Sequence, residues 1–232
     1  MSVFDGIKLP VVIFETNSEY NGKISVIEVG STRKLSVDGT VQSVNWTSPS
    51  VEKLVWGKVI KVLKENEPNL GSILVLGLGG GTTQQLISKE FNGVQIVSVE
   101  IDAVMVDVAR KFFALEQIPN HRVIVDDALR VIANPKEYGI DEYFFDAVFV
   151  DIYCGQTFPD LGKSGTFLSG IMRLVKHGGL VVFNRIYIES HQDDVNLFIE
   201  MIEDYLQNVS SLIVAGKTNS DNVLIFGRTQ WS

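Results

Sequence analysis

The stretch that most constrains this chain is Ile73-Leu74-Val75-Leu76-Gly77-Leu78-Gly79-Gly80-Gly81. An apolar run flanked by glycines predicts a buried parallel strand that runs into a tight turn. Gly77, Gly79 and Gly81 alternate as G-x-G-x-G, so the backbone can bend sharply and a ligand can lie directly on it. Thr82 or Thr83 then opens a helix, which places the turn at a helix N-terminus. The next strand, Val94 to Val99, ends at Glu100, 19 residues beyond Gly81. That is close to the ~20 residues expected before an acid that grips a ribose. The turn lacks a glycine at position 82, which departs from the dinucleotide G-x-G-x-x-G and favours an adenosyl ligand over NAD. The coupled turn and acid predict a nucleoside site.

Around this stretch the chain alternates strands and helices. Strands are expected at 72–77, 94–100, 121–125, 145–151 and 179–184, and helices at 82–91, 103–114, 127–134, 164–176 and 191–207. Two last strands, 210–215 and 222–228, are joined by Lys217 to Asp221. So short a link makes an antiparallel hairpin, because a parallel crossover needs a dozen or more residues. The predicted fold class is α/β: a seven-stranded, doubly wound, Rossmann-like sheet with its ligand at the carboxyl ends of the strands.

Residues before this sheet read differently. Val11 to Phe14, Lys23 to Val29, Lys34 to Val37 and Thr40 to Val44 alternate as strands do, and Asp38-Gly39 is a hairpin signal. They predict a small antiparallel β domain over 1–46, followed by the nucleoside-binding domain over 47–232. So small a sheet needs a neighbour or a second subunit to pack on. Thr47-Ser48-Pro49-Ser50 predicts a hydroxyl-capped helix start, with Val51, Leu54, Val55, Val59 and Val62 on one helical face.

Composition narrows the class of function. The chain has 232 residues, 45% of them hydrophobic, a mean hydropathy of +0.17, a net charge of −8 and a pI of about 4.9. An acidic chain without a basic stretch is a poor match for nucleic acid or an anionic membrane. No apolar run approaches the ~20 residues of a membrane span, and Met1 to Thr16 lacks the pattern of a signal peptide. A cytoplasmic protein is expected. The single cysteine, Cys154, and three scattered histidines give neither a disulfide nor zinc-ligand spacing, so no metal is expected.

Further candidate residues follow the strands. Asp126-Asp127-Ala128 ends the third of them; a carboxylate there accepts from an exocyclic amine such as adenine's or caps the next helix. One aspartate can do each job, and Asp127 is assigned to the base. Asp151 is the only carboxylate at the carboxyl end of Phe145 to Val150. It suits a general base or the grip on a cationic group, and equally a cap for the following loop. Cys154 reads as inert packing. Residues 154–164 form a long polar loop over the expected pocket, either a lid or an ordinary connection. Trp46 and Trp56 read as packing residues at the domain junction.

Leu74 to Gly81 through Val99-Glu100-Ile101-Asp102 resembles the cofactor site of spermidine synthases, the aminopropyltransferases, without a gap between Gly77 and Glu100. The resemblance covers most of the chain. Ser36 to Gln42 is similar to that family's hairpin ending in glutamine, Asp126-Asp127-Ala128 to its adenine-binding pair, Phe145 to Asp151 to its catalytic strand, and Lys176 to Val182 to its late glycine turn. It implies a small β domain before a methyltransferase-like Rossmann domain, assembly as dimers or tetramers, with a homodimer expected here, and aminopropyl transfer from decarboxylated S-adenosylmethionine to putrescine. Three positions depart from the family. Val51 stands where it has a tyrosine, Gly80 where it has an amine-binding aspartate, and Asp151-Ile152-Tyr153-Cys154-Gly155 where it has a second acid. The matches serve the nucleoside and the base; the losses fall on the amine side.

The expected function is therefore transfer from S-adenosylmethionine, or its decarboxylated form, to a small-molecule acceptor other than putrescine. Gln42, Gly77, Gly79, Gly81, Glu100, Ile101, Asp126, Asp127 and Ala128 would bind the nucleoside, Asp151 would be the base, and Tyr153, Gly80 and Val51 would border the acceptor. The alternatives are a working aminopropyltransferase with a rebuilt amine site and a binding protein that kept the fold without catalysis.

Overall fold

A computed structural model describes residues 9–153, 159, 164–187, 191–215 and 221–230. Two sheets organise them. The first is antiparallel, in the order β1-β2-β3-β4: β1 Val11–Ser18, β2 Gly22–Val29, β3 Thr32–Val37 and β4 Thr40–Val44. Asp38 and Gly39 close the third hairpin with φ of 44° and 83°, the two positive values that a tight two-residue hairpin turn demands.

The second sheet has seven strands in the order β10-β11-β9-β8-β5-β6-β7. They are β5 Ser72–Leu76, β6 Gln95–Glu100, β7 His121–Val125, β8 Phe145–Val150, β9 Val175–Ile186, β10 Leu206–Val214 and β11 Asn222–Thr229. Strands β5 to β9 are parallel, and β11 and β10 extend the sheet antiparallel. The chain leaves β5 for β6 on one side and later returns to β8 on the other. The carboxyl end of β5 is therefore the switch point at which such sheets open a crevice.

Helices α1 Val55–Asn66, α2 Thr82–Glu90, α3 Ala103–Phe113, α4 Ala128–Ala133, α5 Gly165–Leu174 and α6 Gln192–Ile202 bury apolar stripes on the sheet. Leu74, Leu76, Val148 and Val150 meet Phe167, Ile171 and Phe198 on one face. Ile73, Val75 and Phe149 meet Val59, Ile87 and Val106 on the other. The small sheet is anchored on α3: Ile24, Val26, Leu35 and Val37 pack on Met105, Val108 and Phe113. No helix among the described residues is long and apolar enough to cross a membrane.

Three local expectations are corrected. Val51–Lys53 forms a separate 3-10 turn and α1 starts at Val55, capped by the extended Leu54; Ser50 gives no side-chain cap. A Cβ on Gly57 would lie 2.4 Å from the Glu52 Cα, so the two segments fold tightly against each other and cannot be one helix. Helix α6 stops at Ile202, and β10 starts at Leu206, earlier than expected, because a turn at 203–205 delivers the buried Leu206 to the core. Strand β9 starts at Val175, with an irregularity in its pairing to β8 that absorbs the expected glycine turn.

Candidate functional site

The glycine turn is tied down at both ends. The Gly77 N–H donates to the Val99 carbonyl at 2.8 Å and the Gly81 N–H to the Leu78 carbonyl at 2.9 Å. Gly77 has φ of 99°, and a Cβ there would lie 2.2 Å from the Asp151 carbonyl oxygen. Both facts demand glycine: the turn passes directly against the end of β8.

Glu100, at the tip of β6, turns back to this loop. Its Oε2 accepts from the Leu78 N–H at 3.1 Å and its Oε1 from the Asp102 N–H at 3.1 Å. Burial pushes its pKa up, and the backbone N–H groups oppose the rise. The carboxylate is thus fixed before any ligand arrives. Asp102 caps α3 by accepting from the Val104 N–H at 2.9 Å, and also accepts from Asn21 Nδ2 at 2.6 Å. This draws the β1–β2 turn onto the site.

Strand β4 sits on the same turn. Ser43 Oγ accepts from the Gly80 N–H at 2.7 Å, and Thr82 Oγ1 accepts from the Val44 N–H at 3.2 Å. These bonds bring Gln42 to the rim. They also correct the sequence expectation for Gly80, which is buried under β4 and does not line the cleft. A Cβ there would lie 2.9 Å from the Ser43 Cβ and 3.2 Å from the Phe113 ring. Gly81 likewise shapes the turn without lining the cleft; its Cβ direction faces Leu115. Val51 is buried with Val44 and Trp56 and is core, so it borders no acceptor. Trp56 belongs to that cluster and also reaches the cleft wall.

At the carboxyl end of β7, Asp127 caps α4: its Oδ1 accepts from the Leu129 N–H at 2.8 Å. Asp126 accepts from the Tyr138 hydroxyl at 2.7 Å and from the Asp127 N–H at 2.8 Å, which holds its pKa below the usual range, Tyr138 first. Both residues, with Ala128 and Ile101, line the cleft.

Asp151 follows β8. Its Oδ1 accepts from Asn184 Nδ2 at 2.7 Å, and burial pushes its pKa up to about 6 against that bond. Asn184 stands on β9 and is 4% exposed. Its own Oδ1 accepts from Asn222 Nδ2 at 3.0 Å, and its backbone carbonyl accepts from the Tyr153 hydroxyl at 2.7 Å. Burial raises the Tyr153 pKa, and the nearby Asp151 carboxylate adds to the rise.

Together these residues enclose a cleft of about 250 Å³. Of the residues singled out in the sequence, it gathers Gln42, Gly77, Gly79, Glu100, Ile101, Asp126, Asp127, Ala128, Asp151 and Tyr153. Among the described residues its wall holds four carboxylates (Glu100, Asp126, Asp127, Asp151) and no Lys or Arg. Such a wall complements a cation. The loop expected above it lies outside the described residues except for Pro159, on the wall, and Ser164, which caps α5; Cys154 lies outside them.

Sequence reading missed Asn184, Gln84 and Asn21. Asn184 carried a signal: it is the first polar residue after the apolar run Leu180 to Phe183, at the carboxyl end of a strand. Gln84, in the first turn of α2, gives Nε2 to the Gly77 carbonyl and to Ser98 Oγ, each at 3.2 Å. Asn21 had no local signal, because only the packing of the small sheet on α3 brings it in.

Comparison with known proteins gives the same frame. Residues 54–230 match the family model of the spermine/spermidine synthase domain. The eEF1A lysine and N-terminal methyltransferase homolog of Drosophila melanogaster is 30% identical over 117 residues, covering 49% of this chain and 17% of that protein. The chain thus matches only a small part of that relative. Spermidine synthase from Thermotoga maritima superposes with a TM-score of 0.75 at 15% identity, over 94% of this chain and 72% of its own. Human methyltransferase-like protein 13, solved in complex with SAH, superposes with a TM-score of 0.59 at 22% identity, over 68% of this chain and 72% of its own. At these identities the two structures share the fold. The family model spans most of the chain, from α1 to the end of β11, and on that ground the chain belongs to the spermine/spermidine synthase domain family.

Proposed function

We propose that this chain is a transferase that binds S-adenosylmethionine or a close analogue and transfers a group, a methyl first of all, to an acceptor other than putrescine. The observation that carries this reading is the acceptor side of the cleft. Among the described residues, and beyond the acids given to the nucleoside (Glu100, Asp126, Asp127), it offers one carboxylate, Asp151, and the position of the family's amine-binding acid is Gly80, sealed under Ser43 and against Phe113. A diamine brings two ammonium groups, and desolvating both needs more than one carboxylate.

The residues present fit an adenosyl group. Glu100 would accept from the ribose hydroxyls, Asp127 would use its remaining oxygen for the adenine amine, and the backbone at 77–79 would carry the tail, with Gln42 and Ile101 at the edges. The sulfonium, when bound, supplies an electrophilic carbon. The protein's part is to align the acceptor with it and to take a proton from the acceptor. Asp151 suits that step, since a carboxyl titrating near pH 6 is ionised at neutral pH yet more basic than an ordinary aspartate. Tyr153 would wall the acceptor.

Aminopropyl transfer from decarboxylated S-adenosylmethionine is the second reading. The absence of Lys or Arg from the described cleft wall favours it, because no side-chain cation waits for an amino-acid carboxylate. Product analysis separates the two. Methyl transfer releases S-adenosylhomocysteine; aminopropyl transfer releases 5′-methylthioadenosine. Incubation with each sulfonium donor, putrescine and a panel of amine and protein acceptors should give S-adenosylhomocysteine. Formation of 5′-methylthioadenosine with putrescine overturns the first reading, and no product with any donor points to a binding protein. Homodimer assembly is part of the same proposal, and sedimentation velocity tests it.

A further inference from the structure

Asp151 is held by a chain of two amides. Asn184 Nδ2 donates to Asp151 Oδ1 at 2.7 Å, and Asn222 Nδ2 donates to Asn184 Oδ1 at 3.0 Å. The direction of both bonds is forced. An ionised carboxylate only accepts, so the Asn184 amide must turn its nitrogen to Asp151 and its oxygen away. That oxygen then needs a donor, and Asn222 supplies one across the antiparallel pair, where Leu224 stands opposite Asn184. The Tyr153 hydroxyl on the Asn184 backbone carbonyl fixes the strand beneath. Three elements, β8, β9 and β11, meet at this point.

We propose that Asn184 and Asn222 are positioning residues: an amide relay that fixes the aim of the Asp151 carboxylate and stabilises its ionised form. That this aim is toward an acceptor rests on the transferase reading above; the relay itself rests on the hydrogen bonds alone. The relay also gives the β10–β11 hairpin, far in sequence from the glycine turn, a direct link to the site.

Other ionisable groups around Asp151 do not duplicate this role. Tyr153, two residues on, spends its hydroxyl proton on Asn184. Arg185, adjacent on β9, places Nη2 2.6 Å from Asp194 Oδ2 on α6. Glu100, from β6, and Asp126 and Asp127, after β7, line the same cleft and are acids. Among the described residues, the side-chain donor to the Asp151 carboxylate is the Asn184 amide.

The test is the carboxyl ¹³C titration of Asp151 in the full chain labelled at aspartate, with Asp151→Asn assigning the signal. Asn184→Leu should raise the midpoint by about one pH unit, the usual worth of one hydrogen bond to a charged group. Asn222→Leu should raise it less, because the Asn184 amide then loses its orientation and not its donors. Asn222→Asp should raise it more than Asn222→Leu, since a carboxylate at 222 pulls the Asn184 nitrogen round and turns its oxygen toward Asp151. Asn222 is only half-buried, so its two variants carry the test even where Asn184→Leu fails to fold. An unchanged midpoint in both Asn222 variants overturns the relay, and an unchanged midpoint in a folded Asn184→Leu overturns the positioning role altogether. A wild-type protein without transferase turnover would sink the proposed function while leaving these titrations to decide the relay.

Discussion

Replacing Asp151 with asparagine should make this protein more stable at pH 8 and leave it nearly unchanged at pH 4. Burial raises the Asp151 pKa from 3.8 to about 6. For an acid, a raised folded pKa means that ionisation costs more in the native than in the unfolded state. The cost is absent below about pH 4, grows as pH rises through 4 to 6, and is complete above about pH 6. A gap of about two pH units corresponds to about 3 kcal/mol at pH 8. Asp151→Asn removes the charge and keeps an oxygen for Asn184 Nδ2, so no hydrogen bond at Oδ1 is lost. Urea unfolding of both proteins at pH 4 and pH 8 gives the difference directly, and the same variant should lose turnover at both. Equal effects at the two pH values, or a less stable variant at pH 8, would refute the reasoning, because either result means that Asp151 does not sit as a strained charge.

Other predictions concern the turn and the ribose acid. Gly77→Ala should lower stability by about 3 kcal/mol or more in urea unfolding, since it places a Cβ 2.2 Å from backbone at a positive φ. Gly80→Asp should lower the melting temperature and give no putrescine turnover, because the new side chain meets Ser43 and Phe113 and cannot reach the cleft. Glu100→Gln should weaken adenosyl ligands roughly tenfold in calorimetry and leave binding of ligands without a ribose unchanged.

Much of the architecture is legible because it is written locally. The apolar run Ile73 to Leu76, the alternate glycines and the acid at position 100 describe one strand, turn and strand, and backbone geometry leaves few ways to join them. The short stretch from Lys217 to Asp221 likewise dictates an antiparallel end to the sheet. Asp127 shows how two local readings coexist: it caps α4 with one oxygen and keeps the other. Legibility fails where a side chain's surroundings come from distant segments. Gly80 reads as an acceptor-side position in sequence, but β4 lies over it and turns it into a packing point. Val51 is a site position only through the resemblance, which puts a tyrosine there, and its place with Val44 and Trp56 is decided by the fold of the 51–53 turn against α1. Asn184 and Asn222 stand 38 residues apart on strands whose pairing alone makes them partners, so neither residue type nor local spacing assigns them together.

The central claim is that the cleft serves an S-adenosylmethionine donor with a non-putrescine acceptor. Calorimetric titration of the protein with S-adenosylmethionine and with its decarboxylated form, in the presence and absence of putrescine, tests it most directly. The account predicts tighter binding of S-adenosylmethionine and no effect of putrescine on either ligand. Tighter binding of the decarboxylated ligand, accompanied by consumption of putrescine, would contradict it.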